Sequence, residues 1–303
     1  MLTNVLDRLL YKDTFIGRRY VKATTDKREQ LLKFRERFNR EALNTRTQVA
    51  KEIAGDTGIV IEKDMGFKIM TDHQIPEVDG LVKLGTDIIS KVDVEESRGN
   101  KKDQLLTRLL GEEHKTLESP FIQLVLRKDV IAAISNYLGM VPILNKVDIW
   151  YSRPSAQLSN SQLHHCDFES YTQMKLFVAI SDVTAESGPL TVIDAKASTD
   201  LQDKIHYRFG QKIDDKVIEQ YVPKEQQYQA IGPKGMMVFA DTSRCFHYGS
   251  RVDSDDKHRV VAMYQFLRPQ SFGLSLDYKK NSPYNYLATP DMPKYQRLFL
   301  GAE

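Results

Sequence analysis

The stretch Gln162-Leu163-His164-His165-Cys166-Asp167-Phe168-Glu169 sets a histidine and a carboxylate two residues apart, His165 and Asp167. On an extended strand, residues i and i+2 project from one face. An imidazole nitrogen and a carboxylate oxygen can then converge on a single metal ion from adjacent rungs. A third ligand has to come from elsewhere in the chain. The best candidate is His247, in Ser243-Arg244-Cys245-Phe246-His247-Tyr248-Gly249-Ser250.

Around this stretch the chain has a β texture. From about Val141 short β-branched and aromatic runs alternate with turns: Ile143–Tyr151, Gln162–Asp167, Gln173–Val183, Leu190–Ile193, Gln229–Ile231, Met236–Phe239, Phe246–Gly249 and His258–Leu267. Short strands at this spacing point to a sandwich or jelly-roll barrel. A charged interruption at about Thr199–Tyr228 is partly helical in pattern, with Asp214–Tyr221 as its expected helix, and an insertion of that length suits a lid.

Before the β region the pattern is mostly helical. Leu31, Leu32, Phe34, Phe38 and Leu43 recur at helical spacing. Arg18, Arg19, Lys22, Lys27, Arg28, Lys33, Arg35, Arg37 and Arg40 make this end locally basic, the expected solvated face of a packing helix. Gly58–Lys63 reads as a strand. A helix is predicted from Pro76 to about Val92, with Pro in its first turn and an acid beside it. Asp93–Lys102 reads as an exposed loop, and Ser119-Pro120 starts another helical stretch. A helix over Asp129–Leu138 ends at Gly139, a fitting cap. The fold class is therefore α+β, divided into a helical extension (1–55), a barrel domain (56–268) carrying the insert at about 199–228, and a tail (269–303).

Composition bounds the function classes. The 303 residues carry 43 Lys plus Arg against 41 Asp plus Glu, a formal charge of +2. So even a balance shows no global pull towards nucleic acid or acidic membranes, and no aromatic-basic stripe marks a nucleic-acid channel. The two cysteines, Cys166 and Cys245, each sit beside a proposed ligand, which suits free thiols in a reducing compartment. No signal peptide and no bilayer-spanning run is visible. The expectation is a cytoplasmic protein, monomer or homodimer, acting on a small molecule, with no nucleic acid or membrane partner.

Two histidines and a carboxylate with positions left open form the ligand set of non-haem Fe(II) oxygenases. The other histidines (His73, His114, His164, His206, His258) read as surface or core residues. Arg259 opens the apolar strand Val260-Val261-Ala262-Met263-Tyr264-Gln265-Phe266, and an Arg there needs an anionic partner. That partner is either an internal acid or the carboxylate of a bound ligand, which a guanidinium grips with two prongs. Gln173, Lys175, Phe177 and Ala179 share one strand face. It either points into the barrel, bringing Gln173 or Lys175 to a ligand, or forms an outward polar face. Tyr151, Arg153, Phe168, Tyr171 and Arg251 flank the expected mouth as candidate substrate contacts.

These residues resemble the phytanoyl-CoA dioxygenase-like group of Fe(II)/2-oxoglutarate-dependent oxygenases. His165-Cys166-Asp167-Phe168-Glu169 is similar to its His-x-Asp strand, and Ile180–Ile193 to the stretch between the first and third ligands. His247-Tyr248-Gly249-Ser250 followed by Arg259 is similar to its distal histidine and cosubstrate arginine. The resemblance runs roughly from Gly58 to Arg268. It implies a double-stranded β-helix (jelly-roll) core with flanking N-terminal helices, and Fe(II) on His165, Asp167 and His247. It also implies 2-oxoglutarate anchored by Arg259, with Gln173 or Lys175 as further contacts, and O2 as oxidant. Asp167 stands where related halogenases lack a carboxylate, which implies hydroxylation, or a related desaturation or ring closure. The sequence departs from the family at Asp194–Ser198, which replaces a Pro-Gly-Ser-His segment, and at Arg251, where Asn is common. Two other readings use the same residues: a cupin-type metal enzyme without 2-oxoglutarate, and a non-catalytic binding protein on the same barrel.

Overall fold

The computed structural model describes residues 23–37, 40–55, 57–72, 75–92, 106–155, 157–275 and 277–303. The expected loop at 93–102 and Arg18, Arg19, Lys22, Phe38 and His73 lie outside the described residues. In chain order the elements are α1 (Thr25–Glu36), α2 (Arg40–Ile53), β1 (Phe67–Met70), α3 (Pro76–Lys91), β2 (Leu106–Arg108), α4 (Pro120–Leu126), α5 (Lys128–Leu138) and β3 (Ile143–Ser152). Then follow β4 (Met174–Ala179), β5 (Thr191–Val192), α6 (Ala195–Lys204), α7 (Asp215–Ile218), β6 (Tyr228–Gln229), β7 (Met237–Ala240), β8 (His247–Tyr248), β9 (Arg259–Leu267), α8 (Tyr278–Asn281) and α9 (Lys294–Leu300).

The strands form two antiparallel sheets in a jelly roll: β1-β7-β4-β9-β3-β2, and β6-β5-β8. Side chains of the larger sheet alternate between two cores, as the pleat requires. Val147, Ile149, Leu176, Val178, Phe239 and Tyr264 meet the helices, including Leu81, Phe121, Ile131 and Phe299. Phe177, Ala179, Val238, Ala240, Val261 and Met263 face inward, against Leu190 and Val192 of the smaller sheet. Because helices cover the outer face, every residue of β4 is buried. The outward polar face that the sequence allowed for Gln173 and Lys175 does not exist; both point into the barrel.

Helix signals hold where they are local. α3 has Pro76 in its first turn with Glu77 and Asp79 beside it, and α5 stops at Gly139, at φ +77°. Strand signals mislead where pairing is not local. Gly58–Lys63 forms no strand among the described residues; Ile59 and Ile61 sit in the helix-side core, and the strand that forms is β1, along β7. A β-branched run marks burial, whereas a strand needs a partner of matching length. The expected strand Gln162–Asp167 begins instead as a 3-10 turn, Asn160–Gln162, closed by a reciprocal Ser159–Gln162 cap. It then makes single bridges at His164 and His165. In the insert the expected helix is the single turn α7. The longer helix is α6, whose start is set by the Asp194 carboxylate accepting from Ala197 N–H at 2.8 Å.

The basic N-terminal region is not a solvated face throughout, since Arg28, Arg35 and Arg46 are fully buried. Each guanidinium, with five donors, is held by loop carbonyls. Arg28 donates to Phe168 O and Ser170 O and lies 3.6 Å over the Phe209 ring. Arg35 donates to Gln270 O at 2.9 Å and Leu274 O at 3.0 Å. Arg46 donates to Leu298 O at 2.9 Å and Val141 O at 3.1 Å. The helices thus tie the tail and the Phe168–Ser170 loop to the barrel. Among the described residues, no helix is long and apolar enough to cross a membrane.

Arg46→Ala removes charge-assisted bonds and strands buried carbonyls, which should cost roughly 3 kcal/mol. Equilibrium urea unfolding checks this: a shift below about 1 kcal/mol would show that the strut is dispensable.

Candidate metal centre

His165 and His247 come together by direct backbone pairing. His165 N–H donates to His247 O at 3.1 Å and His247 N–H to His165 O at 3.0 Å. Residues opposed in an antiparallel pair share a face, so both imidazoles emerge side by side, ring centroids 4.3 Å apart. Asp167, two residues on, is fixed by its N–H donating to Thr242 O at 2.7 Å. Its Oδ1 lies 3.8 Å from His165 Nε2 and its Oδ2 3.9 Å from His247 Nε2. All three ligand atoms lie within 4.8 Å of one another.

The chemistry of this donor set fits a divalent cation. Each histidine is oriented through its other ring nitrogen: Nδ1 of His165 is 2.8 Å from Leu163 O, and Nδ1 of His247 is 3.0 Å from Cys245 O. A carbonyl there requires N–H on Nδ1, leaving the Nε2 lone pairs directed at the carboxylate, the arrangement found for metal-bound imidazoles. Burial holds both imidazoles neutral, His247 near pKa 4 and His165 well below its ordinary value, the latter depressed further by His247. Burial alone would raise the Asp167 carboxyl, but Lys175, His247 and His165 outweigh it and keep it well below the usual carboxylate range. The ligands are in their metal-binding protonation states without any proton having to leave.

Gln173 and Lys175 converge on Asp167. Lys175 Nζ is 2.6 Å from Asp167 Oδ2, and Gln173 Nε2 donates to the same oxygen at 3.1 Å and to Thr242 Oγ1 at 2.9 Å. Behind them an amide chain runs on: Gln265 Nε2 donates to Gln173 Oε1 at 3.2 Å, and Asn145 Nδ2 to Gln265 Oε1 at 2.8 Å. This chain orients the carboxylate.

Arg259 lines a narrow apolar slot together with Phe177, Ala179, Leu190, Met236, Val238 and Val261. Its Nη2 donates to Ser250 Oγ at 2.8 Å, which in turn is 2.9 Å from Ser152 Oγ. Its Nε is buried without a hydrogen-bond partner. Burial alone pushes the guanidinium down to about 10, with no acid opposing it. The internal salt bridge that the sequence left open is therefore absent among the described residues. Gly249 allows this seat, since a Cβ there would stand 3.1 Å from Arg259 Nη1.

The five expected substrate contacts do not gather at one mouth. Tyr151 is on the outer face of β3, packed towards the helices and stacked on His258 at 5.2 Å. The Arg153 guanidinium lies 5.5 Å over that same tyrosine ring. Phe168 packs between the insert and the Leu32–Phe272 pair. Tyr171 packs there too, and accepts from Arg268. Arg251 grips Asp215 with two bonds, 2.7 and 2.8 Å, donates to Gln162 O, and lies 3.4 Å over Tyr248. It fastens α7 to the rim.

The inward residues that sequence reasoning missed are their neighbours in the pleat. Trp150 and Ser152 face the barrel; Ser152 pairs directly with Arg259, and Trp150 Nε1 is buried without a partner. The parity of β3 was legible, but which face was inner depended on its pairing. Lys212 was also missed. His164 and Ile213 exchange backbone hydrogen bonds at 3.2 and 2.9 Å, which brings Lys212 beside the histidine segment. The Lys212 charge acts on both imidazoles. The two cysteines are buried free thiols, and burial pushes both well above the ordinary thiol value.

No family model matches the chain, and no curated protein matches its sequence. Solved structures do match. EctD from S. alaskensis with 2-oxoglutarate and 5-hydroxyectoine superimposes with a TM-score of 0.51 at 18% identity, over 77% of this chain and 83% of that one. Its apoform gives 0.50 at 15% identity, over 79% and 84%. Likeness at this identity establishes the shared fold.

Replacing His165, Asp167 or His247 by Ala is expected to abolish Co(II) binding in calorimetry. Gln173→Leu should weaken it by about 10- to 100-fold. Because a depressed histidine stays unprotonated below its ordinary value, affinity should stay level as pH falls through about 6.5. It should drop only near the His247 value of about 4. Affinity that fades already around neutral pH would show the imidazoles to be solvated.

Proposed function

We propose that the chain is an Fe(II)- and 2-oxoglutarate-dependent oxygenase, of the phytanoyl-CoA dioxygenase-like group, that hydroxylates or otherwise oxidises a C–H bond of a polar small molecule. The observation that carries this reading is Arg259: a buried cation with a free Nε and no acid acting on it, in the lining of an apolar slot of the same barrel that carries the His-Asp-His group. A buried charge left unpaired is too costly to be structural. A slot with one cation in its lining suits a short dicarboxylate.

When bound, Fe(II) and 2-oxoglutarate supply, with O2, an oxidant that converts C–H to C–OH while the keto acid leaves as succinate and CO2. The chain's own residues do the rest. His165, Asp167 and His247 offer three ligands on one side and leave the other positions for exchange. Arg259 and the Ser250 hydroxyl receive the distal carboxylate in a charge-assisted contact. The apolar walls take the methylenes and keep water out. Lys175, 2.6 Å from Asp167 Oδ2, is placed to offer its ammonium to a carboxylate at the metal end. Lys212 adds a cation beside the histidine segment, which favours a substrate with an anionic group. Arg259, with no acid acting on it, argues against a cupin-type enzyme without a keto acid.

The test is an anaerobic titration of 2-oxoglutarate into the Fe(II)-loaded protein, read by the visible charge-transfer band of a chelated keto acid. Wild type should develop the band. Arg259→Gln should need about 10- to 100-fold more 2-oxoglutarate, the loss of a bond to a charged group, with Co(II) affinity unchanged. An unaltered keto-acid dependence in Arg259→Gln would remove the anchor, and metal binding without a band in wild type would favour the cupin-type reading.

A further inference from the structure

A second cavity, of about 420 Å3, opens between α1 and the turn at Ser243–Arg244. None of the metal group lines it, nor does Arg259. Three cations reach it from separate elements: Lys63 from the turn before β1, Arg244, and Arg268 from just beyond β9. The nearby acids are already engaged. Glu29 pairs with Lys33 at 2.8 Å. Glu36 accepts from Gln270 at 2.8 Å and lies 3.4 Å from Arg268. Asp241 is enclosed and accepts from Thr172 Oγ1 at 2.6 Å, Tyr137 OH at 3.1 Å, and the N–H groups of Ser243 and Arg244. Two donors remain without a hydrogen-bond partner although buried: the hydroxyl of Ser243, whose residue is 1% exposed, and Nε of Arg268. The cations also act on one another, since burial, then Arg244 and Arg268, push the Lys63 ammonium below its ordinary value.

We propose that this cavity binds a phosphate-bearing small molecule, its phosphoryl oxygens taken by Lys63, Arg244, Arg268 and the Ser243 hydroxyl. The convergence of three cations on a nearly neutral chain asks for a ligand carrying more than one negative charge. A phosphate, at about −1.5 to −2 near neutral pH, answers this better than a single carboxylate. Its three oxygens accept from donors arriving from different directions, whereas a carboxylate is planar and best met by one fork. The volume falls within the range of about 300–1,000 Å3 typical of small-ligand pockets, so the ligand extends beyond the phosphate itself. The lining hydroxyls of Thr25, Thr172 and Thr199 suit a polar remainder.

The test is calorimetric titration of the full chain with inorganic phosphate, and separately with acetate, at constant low ionic strength. Wild type should bind one phosphate saturably and acetate at least tenfold more weakly. Lys63→Gln and Ser243→Ala should each weaken phosphate by about tenfold, as expected for a lost bond to a charged group. Neither removes a hydrogen bond from the fold: Ser243 Oγ has no partner, and the Lys63 ammonium lies over the Tyr137 ring at 4.2 Å. Arg259→Gln should leave phosphate binding unchanged, which separates this cavity from the barrel. Binding lost in Arg259→Gln but kept in Lys63→Gln would put the anion in the barrel and overturn the proposal. So would the absence of saturable binding to wild type, or equal affinity for acetate.

Discussion

Two backbone hydrogen bonds, His165 N–H to His247 O and His247 N–H to His165 O, hold together segments far apart in the chain, and the candidate centre depends on them. They oppose the two residues directly, so the imidazoles share a face without any side-chain contact having to be arranged. The same row continues on either side. Val192 pairs with His247 in the smaller sheet, and Ile213 bridges His164. What lines the open side of the centre is thereby decided by strand register, and a slip of one residue would turn both ligands outward.

Within that frame, buried charge is handled in two contrasting ways. Asp167 is surrounded by an ammonium, an amide and two imidazoles, so its ionised form is stable despite burial. Arg28, Arg35 and Arg46 donate to main-chain carbonyls, which converts three cations into struts between the N-terminal helices, the Phe168–Ser170 loop and the tail. Arg259 is treated differently. One of its nitrogens meets a serine hydroxyl, another meets nothing, and no acid offsets the cost of its burial. Arg28 and Arg46 also keep buried nitrogens without a hydrogen-bond partner, but acids act on them, Glu169 on the first and Glu303 at 3.4 Å on the second.

The insert and the amino-terminal helices frame the barrel. The Asp215–Arg251 pair, backed by His164 at 3.1 Å from Asp215, pins α7 to the segment just beyond His247. α1 meets the insert at Gln202 and Phe209 and supplies one wall of the second cavity, where three cations meet. Both devices use residues outside the ligand set to hold loops that run directly into it. Rigidity there keeps the Nδ1–carbonyl bonds of the two histidines aligned.

Much of this architecture was legible in the residues themselves. Local signals placed α3 and α5, because proline, acids and a terminal glycine act on the turn in which they stand. The alternating runs of the β region identified most of the sheet, and the order of His165, Asp167 and His247 singled out three residues that the fold draws together. The rest depended on pairing. The sequence could not tell that the strand forms at Phe67–Met70 rather than at Gly58–Lys63, nor that helices bury the outer face of β4. It could not tell that Trp150 and Ser152, rather than Tyr151, look inward. It named Arg251 for a substrate, but only the folded insert brings Asp215 within reach of it. Side-chain chemistry and local conformation travel with the sequence because they act between neighbours. Which face is inner, which charge is answered and which cation stands near the centre were decided by tertiary structure alone, because each is a relation between segments that meet only when the chain has folded.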